Sequence, residues 1–155
     1  MTLESNLKQE KVIHLDLSNF TKVESGTSVR ETIEAMRQQA HHCAIVMDSG
    51  SLKGIFTDRD ILRKVVDVPD TLDQHIDQVM TPTPITVNSS DAADAALALM
   101  DSKHFRNVPV VNDKGQIIGN LTHYAIIKYL ADRFPESVYN LPPDPDQVTD
   151  RRDGA

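Results

Sequence analysis

A single cysteine, Cys43, is all the chain has for disulfide chemistry. No intramolecular bridge can form, and a lone thiol inside the apolar run Cys43–Met47 reads as a buried side chain in a reducing compartment. Cations are also scarce: 16 Lys and Arg stand against 23 Asp and Glu, a net charge of −7. That balance excludes a protein built to follow a nucleic-acid backbone, which needs a basic stripe. A small phosphate ligand asks only for a local cationic cluster. No apolar run reaches membrane-spanning length, and the polar stretch from Met1 to Lys11 lacks the apolar segment of a secretory signal. The cytoplasm is the expected location, with no nucleic-acid and no membrane partner. The 155 residues contain no Gly-rich phosphate loop and no Ser, His and Asp in a triad-like order, so the chain reads as no enzyme. His41, His42 and Cys43 could be gathered with His104 and His123 into a metal set. The adjacent histidines lack ligand spacing, and neither metal nor cofactor is expected.

What the chain does have is an internal repeat. Gly54-Ile55-Phe56-Thr57-Asp58-Arg59-Asp60 returns as Gly119-Asn120-Leu121-Thr122-His123-Tyr124-Ala125. Each copy follows a matching apolar run, Cys43–Gly50 in the first case and Val108–Gly115 in the second, and precedes an apolar helix face. Thr57 stands where a helix N-cap belongs and Asp60 at the third helical position. Such a turn offers free N–H groups to a phosphate and a carboxylate to vicinal hydroxyls. The same pair also satisfies a plain capping box.

The elements follow from periodicity and turn signals. Met1–Lys11 reads as frayed and Val12–Leu17 as a short strand or edge. Ser28 with Glu31 caps a helix whose face is Val29, Ile33 and Met36. Strands over Cys43–Met47 and Leu52–Phe56 flank an Asp48-Ser49-Gly50 hairpin, and Asp58–Val66 is a helix. In the second copy Val79–Val87 is an extended lead-in. Ser90 or Asp91 caps a helix with the face Ala93, Leu97 and Met100, and Thr122–Phe134 is the last helix. Residues 12–70 and 77–134 thus form two β-α-β-β-α units, with tails over 1–11 and 135–155. In the second tail Tyr139-Asn140-Leu141 could dock. Neither unit, at about 60 residues, buries enough surface alone, so the two should pack together. Leu62, Val66, Ile127 and Tyr129 give the motif helices apolar residues beyond one face, which calls for a second copy.

These features resemble a tandem pair of cystathionine-β-synthase (CBS) domains, a Bateman module of the free-standing bacterial type. The carriers are the Gly54–Asp60 motif, the lead-in Val79-Met80-Thr81-Pro82-Thr83-Pro84-Ile85-Thr86-Val87, and Phe105-Arg106-Asn107-Val108-Pro109-Val110-Val111. The resemblance spans roughly Val12 to Phe134. It implies an α/β fold of two pseudo-symmetric units and a regulatory module that binds an adenosyl ligand in the inter-unit cleft. AMP, ADP or ATP is the implied ligand, with S-adenosylmethionine or NAD as alternatives. It further implies a flat homodimer and a regulated protein that the sequence does not identify. A purely structural module with empty clefts is the competing reading. Carried over, Thr57 touches phosphate or ribose, Asp60 holds the ribose hydroxyls and Ile55 lines the adenine pocket. Thr81, Pro84, Ile85, Val108, Pro109 and Val110 form the opposite wall. His41, His42 and Arg106 stand where the family places phosphate-facing bases. The second cleft, around Val23, Ala44, Thr122 and His123, departs from the pattern. Ala125 replaces the aspartate there, and Asn120 is polar where an apolar residue is usual.

Overall fold

The computed structural model describes residues 2–134. It contains two small sheets with helices against them, so the α/β class and the internal repeat are both present. In the first repeat β1 (Thr21–Glu24) lies parallel to β2 (Cys43–Asp48), which turns back into β3 (Ser51–Thr57). Ser49 and Gly50 make that turn at positive φ values of 52° and 87°, which match the twist of a two-residue hairpin. Helix α2 (Val29–Gln39) joins β1 to β2, and the Ser28 hydroxyl accepts the Glu31 N–H at 3.0 Å to close its first turn. The second repeat contains β5 (Val87–Asn88), α4 (Ala93–Lys103), β6 (Asn107–Val111), β7 (Ile117–Thr122) and α5 (His123–Arg133).

Strand alternation splits each sheet into two faces. Ala44, Val46 and Phe56 turn toward the helices and join Val23, Val29, Met36 and Val65 in one buried core. Cys43, Ile45, Met47 and Ile55 face the other way and pack with Phe20, Leu52 and, from the second repeat, Ile117. Cys43 is therefore the expected buried thiol. Burial pushes its pKa well above the ordinary range, and the negative charges of Asp58 and Asp60 add to the effect.

The segments that lead into the two repeats are exchanged. Val12 and Leu15 are buried in the second core with Val87, Ala93 and Leu121. Ile76, Val79 and Met80 are buried in the first with Val29 and Phe56. A short strand, β4 (Thr81–Pro82), completes the edge of the first sheet by pairing Ile55 with Thr81 and Gly54 with Pro82. Pro82 is tolerated because β4 is an edge. In the mirror position the Leu17 carbonyl accepts the Asn120 N–H at 2.9 Å. The motif glycines stand where these crossings are tightest. A Cβ on Gly54 would lie 2.9 Å from the Thr81 carbonyl oxygen, and one on Gly119 would lie 2.7 Å from that of Leu17.

Several expectations are corrected. The N-terminal stretch is helix α1 (Leu3–Gln9), capped by Thr2, with Leu7 buried in the second core. Val12–His14 is a 3₁₀ turn, not a strand: Val12 and Leu15 are buried at three-residue spacing, and the Val12 and Ile13 amides reach the carbonyls of Asp91 and Ser89. The lead-in over 79–87 is not a continuous strand, since a bend at Thr83 and three irregular residues separate β4 from β5. Helix α4 has Ala92 at its N-cap, because Asp91 accepts the Asn88 amide and Ser90 bonds the Asn88 side chain. After Thr57 the helix makes one α turn, α3 (Asp58–Asp60), then widens into a π turn over Ile61–Val65. Register pairs Cys43 with Thr57 and Asn107 with Thr122, so Cys43 matches Asn107 rather than Val108, and the second hairpin holds one residue more. Met1 and the tail over 135–155, with Tyr139–Leu141, lie outside the described residues.

Candidate functional site

The first motif turn fixes its carboxylate tightly. Asp60 Oδ2 accepts the Thr57 N–H at 3.0 Å and faces the Thr57 hydroxyl at 3.5 Å. Its Oδ1 lies 3.1 Å from Lys64 Nζ. The Lys64 ammonium also donates to the Val79 carbonyl at 2.6 Å. Asp60 is 13% exposed at its side chain, whereas Asp58, two residues earlier, is 52% exposed. The cap holds Asp60 at the edge of the sheet with lone pairs remaining for a further donor.

Of the expected wall, register brings Thr81 to this edge. Thr81 lies opposite Ile55 in the β3–β4 pair, Pro84 is half-buried and Ile85 is 44% exposed. Other expected members are placed elsewhere. Val108 and Val110 are 0% exposed and belong to the helical core of the second repeat. Pro109 alone of that trio shares a face with Asn120, its register partner. His41 turns its ring to the Thr21 hydroxyl at 3.2 Å, on the helical side, and His42 lies at the surface 3.1 Å from Asp58. Both rim a depression of about 430 Å³ floored by Ile33, Met36 and Ile61, outside the strip between the sheets. Arg106 is exposed, and its carbonyl accepts the His123 N–H at 3.1 Å.

The second motif turn uses the same backbone differently. Thr122 accepts the Ala125 N–H at 2.9 Å, but Ala125 offers no acceptor and is 4% exposed in the core. Val23 and Ala44 sit in the helical core of the first repeat, not in this cleft, and His123 is exposed. Asn120, 0% exposed, donates through Nδ2 to the Asn19 carbonyl and to Asn107 Oδ1, each at 3.1 Å. Its Oδ1 is the one buried side-chain polar atom without a partner among the described residues. Asn19 and Asn107 were not anticipated. They follow from the exchange of lead-ins, which has no local sequence signal: as Thr81 lies against Ile55, Leu17 and its neighbours lie against Asn120.

Two carboxylates clamp the exchanged segments. Asp77 accepts from Lys53 Nζ at 2.7 Å, from the Gly26 N–H at 2.7 Å and from the Ser25 hydroxyl. The Lys53 ammonium, then the Ser25 hydroxyl, hold its pKa far below the usual carboxylate range. Glu10 accepts the Tyr129 hydroxyl at 2.7 Å, and that bond, followed by one from His14, lowers its pKa more modestly. Tyr129 is thereby buried rather than surface-facing. Among the described residues no group of His, Cys, Asp and Glu is placed to hold a metal ion, and no helix is long and apolar enough to cross a membrane.

The model of one protein family, the CBS domain, matches residues 12–67 and again 76–132. Among curated relatives, the meiotically up-regulated gene 70 protein of Schizosaccharomyces pombe is 34% identical over 101 residues, 64% of this chain and 14% of that one. Arabinose 5-phosphate isomerase KdsD of Pseudomonas aeruginosa is 31% identical over 123 residues, 79% of this chain and 37% of the isomerase. In both cases the matched segment is a minor part of a longer protein. Among solved structures, CBSX2 of Arabidopsis thaliana in complex with AMP superposes with a TM-score of 0.70 at 25% identity, over 79% of this chain and 97% of that one. A CBS-domain protein of Bacillus anthracis gives 0.71 at 20% identity, over 84% and 99% of the two chains, and supports the fold. Two exchanged β-α-β-β-α units, each matched by the same family model, make this chain a member of the CBS-domain family in the form of a tandem pair, a Bateman module.

Proposed function

We propose that the chain is a non-catalytic regulatory module that binds one adenosyl ligand, AMP, ADP or ATP, beside Asp60 and passes its occupancy to a partner protein in the cytoplasm. The observation that carries this reading is the Thr57–Asp60 turn. It holds a largely covered carboxylate beside the sheet edge where Ile55 pairs with Thr81, and it occurs in the first repeat only. The AMP complex of CBSX2 supports the ligand class. Vicinal ribose hydroxyls donate to Asp60 while the apolar edge covers the base. Arg106, exposed and without a side-chain partner among the described residues, supplies the cation for a phosphate. Exposed Leu62, Val66, Tyr124 and Ile127, at 68%, 58%, 69% and 41%, form the face through which two copies associate.

Calorimetric titration with AMP, ATP, S-adenosylmethionine and NAD tests the reading. One site per chain is expected, and Asp60→Ala should weaken it about 10- to 100-fold through loss of charge-assisted bonds. Two equal sites, or an unchanged affinity in Asp60→Ala, would overturn the assignment. Absence of binding by all four would leave the structural reading of the module. Light scattering should give twice the 17.3 kDa chain mass.

A further inference from the structure

Lys64 occupies a position that the binding reading leaves without a role. It lies on the π turn, four residues after Asp60, and its ammonium joins two groups from different parts of the chain. One is Asp60 Oδ1 at 3.1 Å, and the other is the carbonyl of Val79 at 2.6 Å. Val79 is buried just before β4, in the segment that leaves the first repeat, crosses its sheet and enters the second. The widened turn is local. The Val66 N–H reaches back to the Ile61 carbonyl at 3.0 Å, five residues away, and such turns concentrate where side-chain placement matters.

The second repeat provides the control. The residue matching Lys64 is Tyr129, and it too reaches the exchanged segment, through Glu10 Oε2 at 2.7 Å and Asn6 Oδ1 at 2.8 Å. There the tie is purely structural, because Ala125 stands at the carboxylate position. Only in the first repeat does the same tie run through the group that would receive a ligand.

We propose that Lys64 is a positioning residue that couples occupancy of the Asp60 site to the crossing segment Val79–Ile85. The proposal rests on the adenosyl reading above. A vicinal diol donating to Asp60 Oδ1 shares that oxygen with the ammonium and weakens its hold. As that contact loosens, Lys64 is held by the Val79 carbonyl alone, and the crossing segment changes its stability. A ligand without the diol leaves the bridge in place. Lys64 therefore carries the signal from the first motif turn into the second repeat, without contributing to the bulk of the affinity.

Hydrogen exchange of the peptide spanning Val79–Ile85 tests this, in wild type, Lys64→Met, which keeps the apolar stem, and Lys64→Arg, which keeps the charge. Without ligand, Lys64→Met should raise exchange at Met80 and Thr83 about 3- to 10-fold, as for loss of a part-exposed charged hydrogen bond. Lys64→Arg should stay near wild type. With saturating adenosine, exchange in this peptide should shift in wild type and not in Lys64→Met, while adenosine affinity changes less than about 3-fold. 2′-Deoxyadenosine should produce no shift in any of the three. Equal exchange in wild type and Lys64→Met without ligand overturns the coupling, whatever adenosine does. Where only AMP binds, AMP and its 2′-deoxy form replace the two nucleosides. Failure of both adenosine and AMP to bind wild type overturns the adenosyl reading, and with it the diol step. In that event raised ligand-free exchange in Lys64→Met would confine Lys64 to a structural tie.

Discussion

At the third position of the motif turn the first repeat carries Asp60 and the second Ala125, and the difference extends along each helix. In the first repeat the turn gathers polar groups: Thr57, Asp60 and Lys64 form one chain of hydrogen bonds that ends on the crossing segment. In the second the same positions hold Thr122, Ala125 and Tyr129, and the polar reach goes to the N-terminal helix. The inter-sheet face shows the reverse contrast. Cys43, Ile45 and Ile55 are apolar on the first sheet, whereas Asn107 and Asn120 stand at the places matching Cys43 and Ile55 on the second. One backbone plan therefore supports a binding turn in one half and an anchoring turn in the other. Substitutions at matched positions should have unequal effects.

The largest inequality is expected at the two motif glycines. A Cβ on Gly119 meets the Cβ and the carbonyl oxygen of Leu17, which can move only with the backbone. A Cβ on Gly54 meets chiefly the thioether end of Met80, which can rotate away, and then the Thr81 carbonyl oxygen at 2.9 Å. Gly119→Ala should destabilise by about 3 kcal/mol and Gly54→Ala by about 1 kcal/mol, the span typical of overpacking. Urea midpoints at unchanged m-value measure both. Equal losses would mean that the two crossings are equally rigid.

Next come the two carboxylate clamps. Both Asp77 and Glu10 have pKa values lowered in the folded chain, Asp77 by much more. A lowered folded-state pKa gives stability that is fully present above the unfolded value near 4 and is lost as pH falls through the folded value. Asp77→Asn should therefore cost about 2 kcal/mol at pH 7 and Glu10→Gln about 1 kcal/mol, from the charge-assisted bonds removed. Both costs should shrink below pH 4, and the acid limb of the Asp77→Asn stability profile should flatten more. A profile that keeps its wild-type slope in Asp77→Asn would place the acid sensitivity on other groups.

The repeat, the class of fold and the Thr57–Asp60 turn were legible because each rests on local chemistry: a cap, a hairpin, a strand alternation. The exchange of lead-ins was not, because Val12 and Ile76 carry the same apolar signal whichever sheet they cover. That one non-local fact hid Asn19. Val23, Ala44, Val108 and Val110 were misassigned for a different reason. Strand alternation sends only every second residue to the inter-sheet face, and the one-residue insertion in the second hairpin obscured which. His41 fits a phosphate-facing position in linear order, yet the left-handed Ala40 at the end of α2, φ 56°, precedes a ring turned back toward Thr21. The π turn and the double contact of Lys64 have no sequence signature, since a lysine four residues after an aspartate on a helix ordinarily reads as a surface pair.

The smallest inequality concerns the first helices of the two repeats. Ser28 and Ala92 hold the N-cap of α2 and α4 with nearly the same backbone, φ −70° in both and ψ 156° against 143°. In each, a carbonyl from an exchanged segment serves the first amide: Gln74 accepts from Val29 at 2.9 Å and Glu10 from Ala93 at 2.8 Å. The helices differ only in the third amide, which Ser28 binds through its hydroxyl at 3.0 Å and Ala92 leaves without a side-chain cap. Because the dihedrals already suit a capping residue, Ala92→Ser needs no backbone change and should add about 0.5 kcal/mol, while Ser28→Ala should remove about 1 kcal/mol. Thermal melts of the two single variants and the double variant check both signs, and the sites should add, since they cap different helices. A neutral Ala92→Ser would show that the Glu10 carbonyl alone suffices to start α4, and that the exchanged segment has taken over the cap in the second repeat.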